Sequence, residues 1–311
     1  MKKEYNLSNR EKFIFDLFDF LNNKNYVALK YIEDDISNIE EYSDIDLGVT
    51  KELSNEIINF LNNYNNILIY KIYSYSFMNM TYIVFKDKTF VGLDLIHSFF
   101  RKNIIYLDIN ELINNTFTNH NGIKVSKLEY NFLNIFLFYL LNKTNISSKY
   151  EEYFCSLEEI EQKNIVDFIN KRYKLNFQSI KDLCIYNQNS YKSVTNILYN
   201  SNNFFSIIVN YFSYLLNIKV NLSKSKLLNF TRVDDKILKE FTYILENKYR
   251  RNVIEIKMLN LKNYINLIKH SLRGDIIIYS QKEVEKNNFL FNLEFDNSLE
   301  KIEDKYIKTS L

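Results

Sequence analysis

Apolar residues follow helical and strand spacings in turn along the first third of the chain. Asn9–Asn22 and Lys51–Asn62 carry large apolar residues at helical spacing. Short apolar runs predict strands at Tyr26–Tyr31, Ile45–Val49, Ile67–Tyr73, Met80–Phe85 and Thr89–Ile96, with Asp87-Lys88 as the turn between the last two. This order predicts a small α/β sheet domain over residues 1–125.

The middle of the chain, residues 126–217, is predicted to be a helical domain. Ser126…Glu129 and Ser156…Glu159 have the spacing of a capping box and open helices that run to Leu141 and about Lys171. Asn134 interrupts the otherwise apolar run of the first of these helices. Further helices are predicted near Ser179–Ile185, Tyr191–Tyr199 and Phe204–Leu216.

The last third, residues 218–311, is predicted to be a second α/β domain. Strands are expected at Leu227–Phe230, Val253–Met258 and Ile276–Tyr279, and helices at Asp234–Asn247 and Leu261–Ser271. Strands that alternate with helices indicate a parallel sheet. The expected fold class of the whole chain is therefore α/β, with a helical insert.

Composition excludes several classes of protein. The chain has no proline and four glycines, no two of them within 25 residues, so neither a Walker A loop nor a dinucleotide-binding fingerprint can be present. No apolar run approaches the ~18 residues that span a bilayer, and the N-terminus lacks a signal-peptide pattern. We expect a cytoplasmic protein with no membrane span, inert cysteines and, since no Lys/Arg block stands out, no strong affinity for nucleic acid.

The most informative stretch is Ser43-Asp44-Ile45-Asp46-Leu47-Gly48-Val49. On a strand, Asp44 and Asp46 share one face while the apolar residues face the core. The two carboxylates lie ~7 Å apart along the strand and would repel each other unless a cation lies between them. Hard oxygen ligands of this kind suit Mg²⁺.

A third carboxylate, Asp94, lies in the apolar strand that ends the first domain. If this strand lies beside Ile45–Val49, the three aspartates converge. Gly92 and Gly48 are each two residues from one of these aspartates and so share its face. A glycine inside a strand often marks the close approach of a ligand, so both are expected to clear space beside the site.

This arrangement resembles the DNA polymerase β-like nucleotidyltransferase superfamily. The resemblance rests on the first strand at Tyr26–Tyr31, the D-x-D pair Asp44 and Asp46, and the later Asp94. Val27-Ala28-Leu29-Lys30-Tyr31 and the S-D-I-D-L and G-L-D-L runs resemble, more narrowly, a bacterial branch that often carries a thymidylate-kinase-like P-loop domain and occurs among polysaccharide biosynthesis functions.

The resemblance implies two-metal transfer of a nucleotidyl group from an NTP. Asp44 and Asp46 would hold two Mg²⁺ ions, and Asp94 would ligate the catalytic metal and help to deprotonate an acceptor hydroxyl. Lys30 and Ser43 would bind the nucleotide. The superfamily usually has Gly-Ser or Gly-Gly where this chain has Lys30-Tyr31, and an acidic run at Glu33–Glu41 lies beside the expected triphosphate position.

The C-terminal domain resembles the kinase-like partner of that branch without its phosphate loop. Leu227–Asp235 falls where the strand and loop would be, and Arg273–Ser280 is similar to a later strand of that domain. The loop glycines and lysine are missing, and Ile237-Leu238-Lys239 stands in the place of Gly-Lys-Ser/Thr. We expect no kinase activity from this domain, which would serve packing or partner binding.

The leading hypothesis is a Mg²⁺-dependent nucleotidyltransferase whose acceptor is a small molecule, a glycan precursor or a macromolecule. The alternatives are an inactive nucleotidyltransferase-like binding or scaffold protein, and a toxin or resistance enzyme that modifies RNA or a drug. His97 is expected to be structural, His120 and His270 to lie on the surface, and Arg101-Lys102 to form a solvated loop.

Overall fold

The protein is mixed α/β in the computed structural model. The structure describes residues 7–32, 43–101, 104–201, 213, 216–231, 234–249, 251–256, 261–281 and 299–310. The acidic run Glu33–Glu41, Lys102 and nearly all of the predicted helix Phe204–Leu216 lie outside these residues. Among the described helices, none combines the length and the apolar character needed to cross a membrane.

The first part of the chain forms a mixed sheet of seven strands. Its elements, in chain order, are α1 (Asn9–Leu21), β1 (Tyr26–Ala28), β2 (Ile45–Val49), α2 (Lys51–Asn62), β3 (Ile67–Ser74), β4 (Met78–Phe85), β5 (Phe90–Ile96), β6 (Phe99–Arg101), β7 (Ile104–Leu107), α3 (Ile109–Asn114), β8 (Thr116–Thr118) and β9 (Lys124–Ser126). The strand order is β3-β4-β5-β2-β1-β9-β8, and β6 and β7 form a separate hairpin. Within the seven-stranded sheet, β2 and β5 pair in parallel, as do β1 and β9, and the other neighbours are antiparallel.

The first two helices cover one face of this sheet. Ile45, Leu47, Leu93 and Leu95 pack there against the apolar side of α1, including Phe13. A capping box opens α1, with Ser8 as the N-cap and Glu11 as its partner. The opposite face is left for the polar residues of the same strands, because successive strand residues point to opposite sides.

The first strand is shorter than its sequence pattern predicts. The pattern predicted a strand over Tyr26–Tyr31, but β1 ends at Ala28. Lys30 takes a left-handed backbone conformation with φ of 53°, which a strand cannot accommodate. The other four strands predicted in this part of the chain are present within a few residues of their expected ends.

Helices follow in the middle of the chain: α4 (Leu128–Asn142), α5 (Ser148–Cys155), α6 (Glu159–Tyr173), α7 (Ile180–Cys184) and α8 (Gln188–Ser201). Both predicted capping boxes are wrong. Ser126 ends β9, so Lys127 is the N-cap of α4, and no side chain caps that helix. Ser156 is the C-cap of α5, and α6 is instead opened by a box between Glu158 and Glu161.

The last part of the chain forms a three-stranded parallel sheet, as predicted. Its elements are the helical residues 216–224 (α9), β10 (Lys226–Thr231), α10 (Asp235–Asn247), β11 (Val253–Ile256), α11 (Leu261–Ser271), β12 (Ile276–Gln281) and α12 (Leu299–Ser310). The strand order is β10-β12-β11, with both pairs parallel.

This parallel sheet and its helices pack against the large sheet. Tyr82 on β4 and Phe90 on β5 share one core with Phe241 on α10 and Tyr306 on α12. The rings of Phe90 and Tyr249 meet edge to face, with 5.2 Å between their centroids. Phe90 lies four residues before Asp94 on the same strand, so this contact is on the face of β5 that carries the aspartate.

Candidate functional site

Two of the predicted aspartates are direct neighbours across a strand pair. In the parallel ladder between β2 and β5, Asp46 lies opposite Asp94, and Ile45 lies opposite Leu93. Ile45, Leu47, Leu93 and Leu95 of this ladder point into the helical face, so both carboxylates point to the other face. The convergence of the aspartates depended on these two strands lying side by side, and the structure meets that condition.

The third aspartate lies over the glycine of β5. A Cβ atom placed on Gly92 would overlap Oδ1 of Asp44 and would lie 2.8 Å from its Cγ. Only glycine therefore leaves the Asp44 carboxylate in this position, two residues from Asp94 on the same face. The prediction that Gly92 clears space for the site is supported by this contact.

Gly48 has a different reason to be glycine. A Cβ atom there would lie 2.7 Å from Cγ1 of Val27 and 2.8 Å from Cδ1 of Ile109, both apolar side chains. The expectation that Gly48 makes room beside the aspartates is wrong, because β1 and α3 pack closely over it.

Lys30 is the cation of the site. Its Nζ donates a hydrogen bond of 2.7 Å to Oδ2 of Asp46, and the two side chains are only 23% and 17% exposed. The same ammonium lies 4.8 Å from the centre of the Phe138 ring. Burial lowers the pKa of Lys30, but the attraction of Asp46 more than offsets this, so its pKa lies above the ordinary value.

Asp94 is held in an environment that disfavours its charge. Burial, and then repulsion from Asp46 and Asp44, raise the pKa of this carboxyl well above its ordinary value, while Lys30 and Lys224 act in the opposite direction. A buried carboxyl with like-charged neighbours is a pattern that functional sites use. Asp46 and Asp44 therefore lie close enough to Asp94 to raise its pKa.

Lys224, at the end of α9, belongs to the site, although no sequence pattern indicates it. Its Nζ lies 3.1 Å from the sulfur of Met80, and Met80 is opposite Asp94 in the β4–β5 ladder. Burial, and then repulsion from Arg251, lower the pKa of Lys224 to about 8, against the attraction of Asp94 and Asp44. No local pattern marks Lys224, because it reaches the aspartates only through the packing of distant elements.

Arg251 accompanies Lys224 from the same side. Its guanidinium is 2% exposed, lies 5.8 Å from the centre of the Tyr82 ring and donates to the backbone carbonyl of Lys224. Tyr82 is opposite Gly92 in the ladder. The last part of the chain thus brings two basic residues to the face of the sheet that carries three acidic ones.

Two cavities meet at the Lys30–Asp46 ion pair. The smaller, of about 70 Å³, is also lined by Ser43, Asp44 and Lys149. The larger, of about 280 Å³, is lined by Asp94 and by aromatic side chains that come mainly from the β6 region and α4. Lys30 and Ser43, the two predicted nucleotide-binding residues, both line the smaller cavity, and Lys30 also lines the larger one with Asp94.

Three further residues were considered from the sequence: His97, Arg101 and His120. His97 is half-buried, and burial lowers its pKa. Arg101 donates to the side chain of Asn142 rather than to the aspartates, although it lines the larger cavity. His120 is within 3.1 Å of the Asn121 amide.

His270 is not the surface residue that was expected. Its Nδ1 lies 2.9 Å from Oδ2 of buried Asp275. The Ser225 hydroxyl donates to the backbone carbonyl of Asp275 and not to the imidazole, so these residues do not form a nucleophilic triad.

The donor chemistry fits Mg²⁺, but the protein alone does not complete a metal site. Asp44, Asp46 and Asp94 supply hard carboxylate oxygens, the ligands that this ion prefers. Within the described ranges, however, no group of three or more His, Cys, Asp or Glu residues is arranged to hold a metal ion. Mg²⁺ is usually bound by one or two carboxylates together with substrate phosphates, so an incomplete protein set is compatible with it.

No family model, no curated protein and no solved structure matches this chain. The geometry of the site therefore has to support any functional conclusion.

Proposed function

We propose that this protein is a Mg²⁺-dependent nucleotidyltransferase that moves a nucleotidyl group from an NTP to a hydroxyl acceptor. The observation that supports it most is the pairing of Asp46 with Asp94 on parallel strands, with Asp44 accommodated over Gly92. Asp46 on β2, Asp44 directly before that strand and Asp94 on the neighbouring strand are close to the arrangement that the sequence resemblance implies.

Asp44 and Asp46 would hold the metal ions together with the phosphates of the NTP. Bound Mg²⁺ supplies charge stabilisation for both the attacking and the leaving oxygen of an in-line displacement. Lys30 compensates Asp46 in their ion pair, and it would pass to a phosphate oxygen when metal and nucleotide arrive. Ser43 and Lys149 line the same small cavity and extend its polar surface for the triphosphate.

Asp94 would accept the proton of the acceptor. In the transfer, the acceptor oxygen forms a bond to the α-phosphorus, the bond from that phosphorus to the pyrophosphate oxygen breaks, and the hydroxyl proton passes to the carboxylate. A carboxyl whose pKa is raised by burial and by Asp46 is a stronger base than an exposed one. Asp94 lines the larger cavity, on the side where an acceptor has room.

The C-terminal sheet has no phosphate site of its own in this proposal. The N-terminus of α10, where a kinase would bind phosphate, is capped by the side chain of Asp234, which accepts from the backbone of Lys236. Asp235 adds a second acidic residue in the first turn. Two carboxylates at a helix N-terminus take the place of a phosphate and repel it.

Calorimetric titration tests this proposal. Each of the four common NTPs would be titrated with Mg²⁺ into the wild-type protein, the Asp44→Asn/Asp46→Asn variant and the matched control Asp167→Asn, an exposed aspartate of α6. We expect the control to bind one NTP as the wild type does and the double variant to lose at least tenfold in affinity. Equal binding by all three proteins would contradict the proposal.

The second candidate is a binding protein of the same fold without catalysis. The Lys30–Asp46 ion pair favours it, since an ammonium already takes the place beside the carboxylate where a metal would bind. Release of pyrophosphate from an NTP that is lost in Asp94→Ala would rule this candidate out. NTP binding without any such release would favour it over the enzyme.

A further inference from the structure

The larger cavity contains a buried amide that the fold does not use. Asn134 on α4 is 2% exposed, and its Nδ2 finds no hydrogen-bond partner in the part of the chain that the structure describes. Buried amide groups are nearly always hydrogen-bonded, because leaving one unpaired is costly. Asn134 is also the residue that interrupts the apolar run of its helix, and it lines the same cavity as Asp94.

The walls of the cavity that contains this amide include five aromatic side chains. Phe77, Phe100 and Phe138 line the cavity, and the rings of Phe77 and Phe100 lie 6.3 Å apart in a tilted arrangement. Flat ligands are favoured against such rings, because aromatic faces and edges attract one another in offset or tilted geometries. The volume of about 280 Å³ is at the lower end of the range for small-molecule sites.

The polar end of the cavity is the catalytic end of the proposed enzyme. Asp46, Lys30 and Asp94 line it there, whereas Ser43, Asp44 and Lys149 belong to the smaller cavity on the other side of the ion pair. The polar cavity suits phosphates, and the aromatic cavity suits the molecule whose hydroxyl must reach Asp94.

We propose that the aromatic cavity is the acceptor site, and that the acceptor is a small, flat, mostly apolar molecule with a hydroxyl group at one end and a carbonyl-type hydrogen-bond acceptor at the other. The carbonyl oxygen would accept from Nδ2 of Asn134, the ring would lie among the three phenylalanines, and the hydroxyl would point to Asp94. The assignment of this molecule as the acceptor rests on the proposed function, whereas its binding does not.

Ligand-observed NMR without metal or NTP tests the site independently of the transfer reaction. The probes are 4-(hydroxymethyl)benzamide, benzyl alcohol, which lacks the carbonyl, and glucose, which represents a glycan precursor. We expect the benzamide to bind wild-type protein about tenfold more tightly than benzyl alcohol, the value of one good hydrogen bond to a buried amide. Glucose should bind more weakly than both.

Asn134→Leu and the matched control Asn164→Leu, on the exposed face of α6, complete the experiment. Asn134→Leu should bind the two aromatic probes equally, and its melting temperature should equal or exceed that of the wild type, since the unpaired amide is gone. The control should keep the tenfold preference. The proposal is overturned if the wild type binds neither aromatic probe, if glucose binds best, or if Asn134→Leu keeps the preference.

These data, taken together with the calorimetric titration of NTP and Mg²⁺, separate this proposal from the proposed function. Binding of the aromatic probes with no metal-dependent NTP binding would support the cavity as a small-molecule site and contradict the nucleotidyltransferase. NTP binding that needs Asp44 and Asp46, with no probe binding, would leave the enzyme standing and overturn the acceptor site.

Discussion

The carboxylate of Asp44 fills the space that a side chain at Gly92 would need. Its Cγ would lie 2.8 Å from a Cβ atom at residue 92, and its Oδ1 would overlap that atom. Asp44 directly precedes β2 and Gly92 lies in the neighbouring β5, so the fold brings a small residue and an acidic one together near the point where Asp46 and Asp94 meet. This relationship ties the geometry of the site to one glycine.

Gly92→Ala should therefore weaken the binding of Mg²⁺ and NTP more than it lowers the stability of the protein. The Asp44 side chain has to turn away, at a cost of about 1 kcal/mol for an unfavourable rotamer.

Gly48→Ala should instead lower the free energy of unfolding by about 1–3 kcal/mol, more than it weakens binding, because the added methyl meets packed apolar side chains. Urea denaturation and calorimetric titration of Mg²⁺ with NTP would measure both effects.

The affinity of Gly92→Ala for Mg²⁺ with NTP should fall to that of Asp44→Ala. The double variant should bind no more weakly than either single variant. A Gly92→Ala protein that binds as the wild type does would show that the position of Asp44 does not matter.

The Lys30→Gly variant should be more stable to urea than the Lys30→Ala variant. Both substitutions remove the ion pair with Asp46. Only the alanine variant is destabilised by the left-handed backbone at φ 53°, and its free energy of unfolding should be lower by about 1 kcal/mol. Lys163, exposed in the middle of α6, is the matched control, because there glycine should be about 1 kcal/mol less stable than alanine. The same sign at both positions in urea denaturation would contradict the backbone assignment at Lys30.

Lys30 follows the first strand with a backbone conformation that glycine favours. The sequence shows a lysine at this position, but only the structure shows its left-handed conformation.

Elements with a clear period were predictable from the sequence, and so was the face of its own strand on which each of Asp46 and Asp94 lies, whereas their pairing across the strands came from the structure. β2 and β5 have apolar residues at every second position, so their burial and the face that each aspartate occupies follow from strand geometry. The two predicted capping boxes were wrong because a pattern of only four residues is too short to identify the start of a helix. Ser126 pairs with Thr116 at the end of a strand that the apolar pattern did not mark.

Residues that reach the site from distant elements were not predictable. Lys224 and Arg251 approach Asp94 and Asp44 only because the last part of the chain packs on the same face of the sheet. Asn134 was visible as an interruption of an apolar helix, but its unpaired amide depends on what surrounds it. Tertiary contacts of this kind have no signature at a fixed sequence spacing.

The packing of Phe90 against Tyr249 should make the large sheet and the C-terminal sheet unfold together. Phe90→Ala removes a fully enclosed ring from their common core and should cost about 3–5 kcal/mol. In hydrogen exchange followed by mass spectrometry, amides of β4 and β12 should then lose protection to the same degree. The control is Phe117→Ala on β8, whose ring is exposed, and which should change neither region. Loss of protection in β4 alone would contradict the shared core.

Cys184 should be unreactive in the folded protein. Burial raises the pKa of its thiol to about 12, and repulsion from Glu151 adds to this, so the reactive thiolate is nearly absent at pH 8. Because the folded pKa is the higher one, this thiol should also reduce stability as the pH rises from about 9 to 12. Mass spectrometry after iodoacetamide treatment should show Cys155 modified first and Cys184 modified only in urea. Rapid modification of Cys184 in native protein would contradict its burial.

Binding of Mn²⁺, a paramagnetic substitute for Mg²⁺, tests the three-aspartate site most directly. Electron paramagnetic resonance follows the loss of the free-ion signal as protein is added, with and without each NTP. The wild type and Asp167→Asn should bind Mn²⁺ more tightly with one NTP present, and Asp44→Asn/Asp46→Asn should not deplete the signal beyond the NTP alone. Equal depletion by the double variant and the wild type, or no depletion beyond the NTP by either, would contradict a metal–nucleotide site at these aspartates.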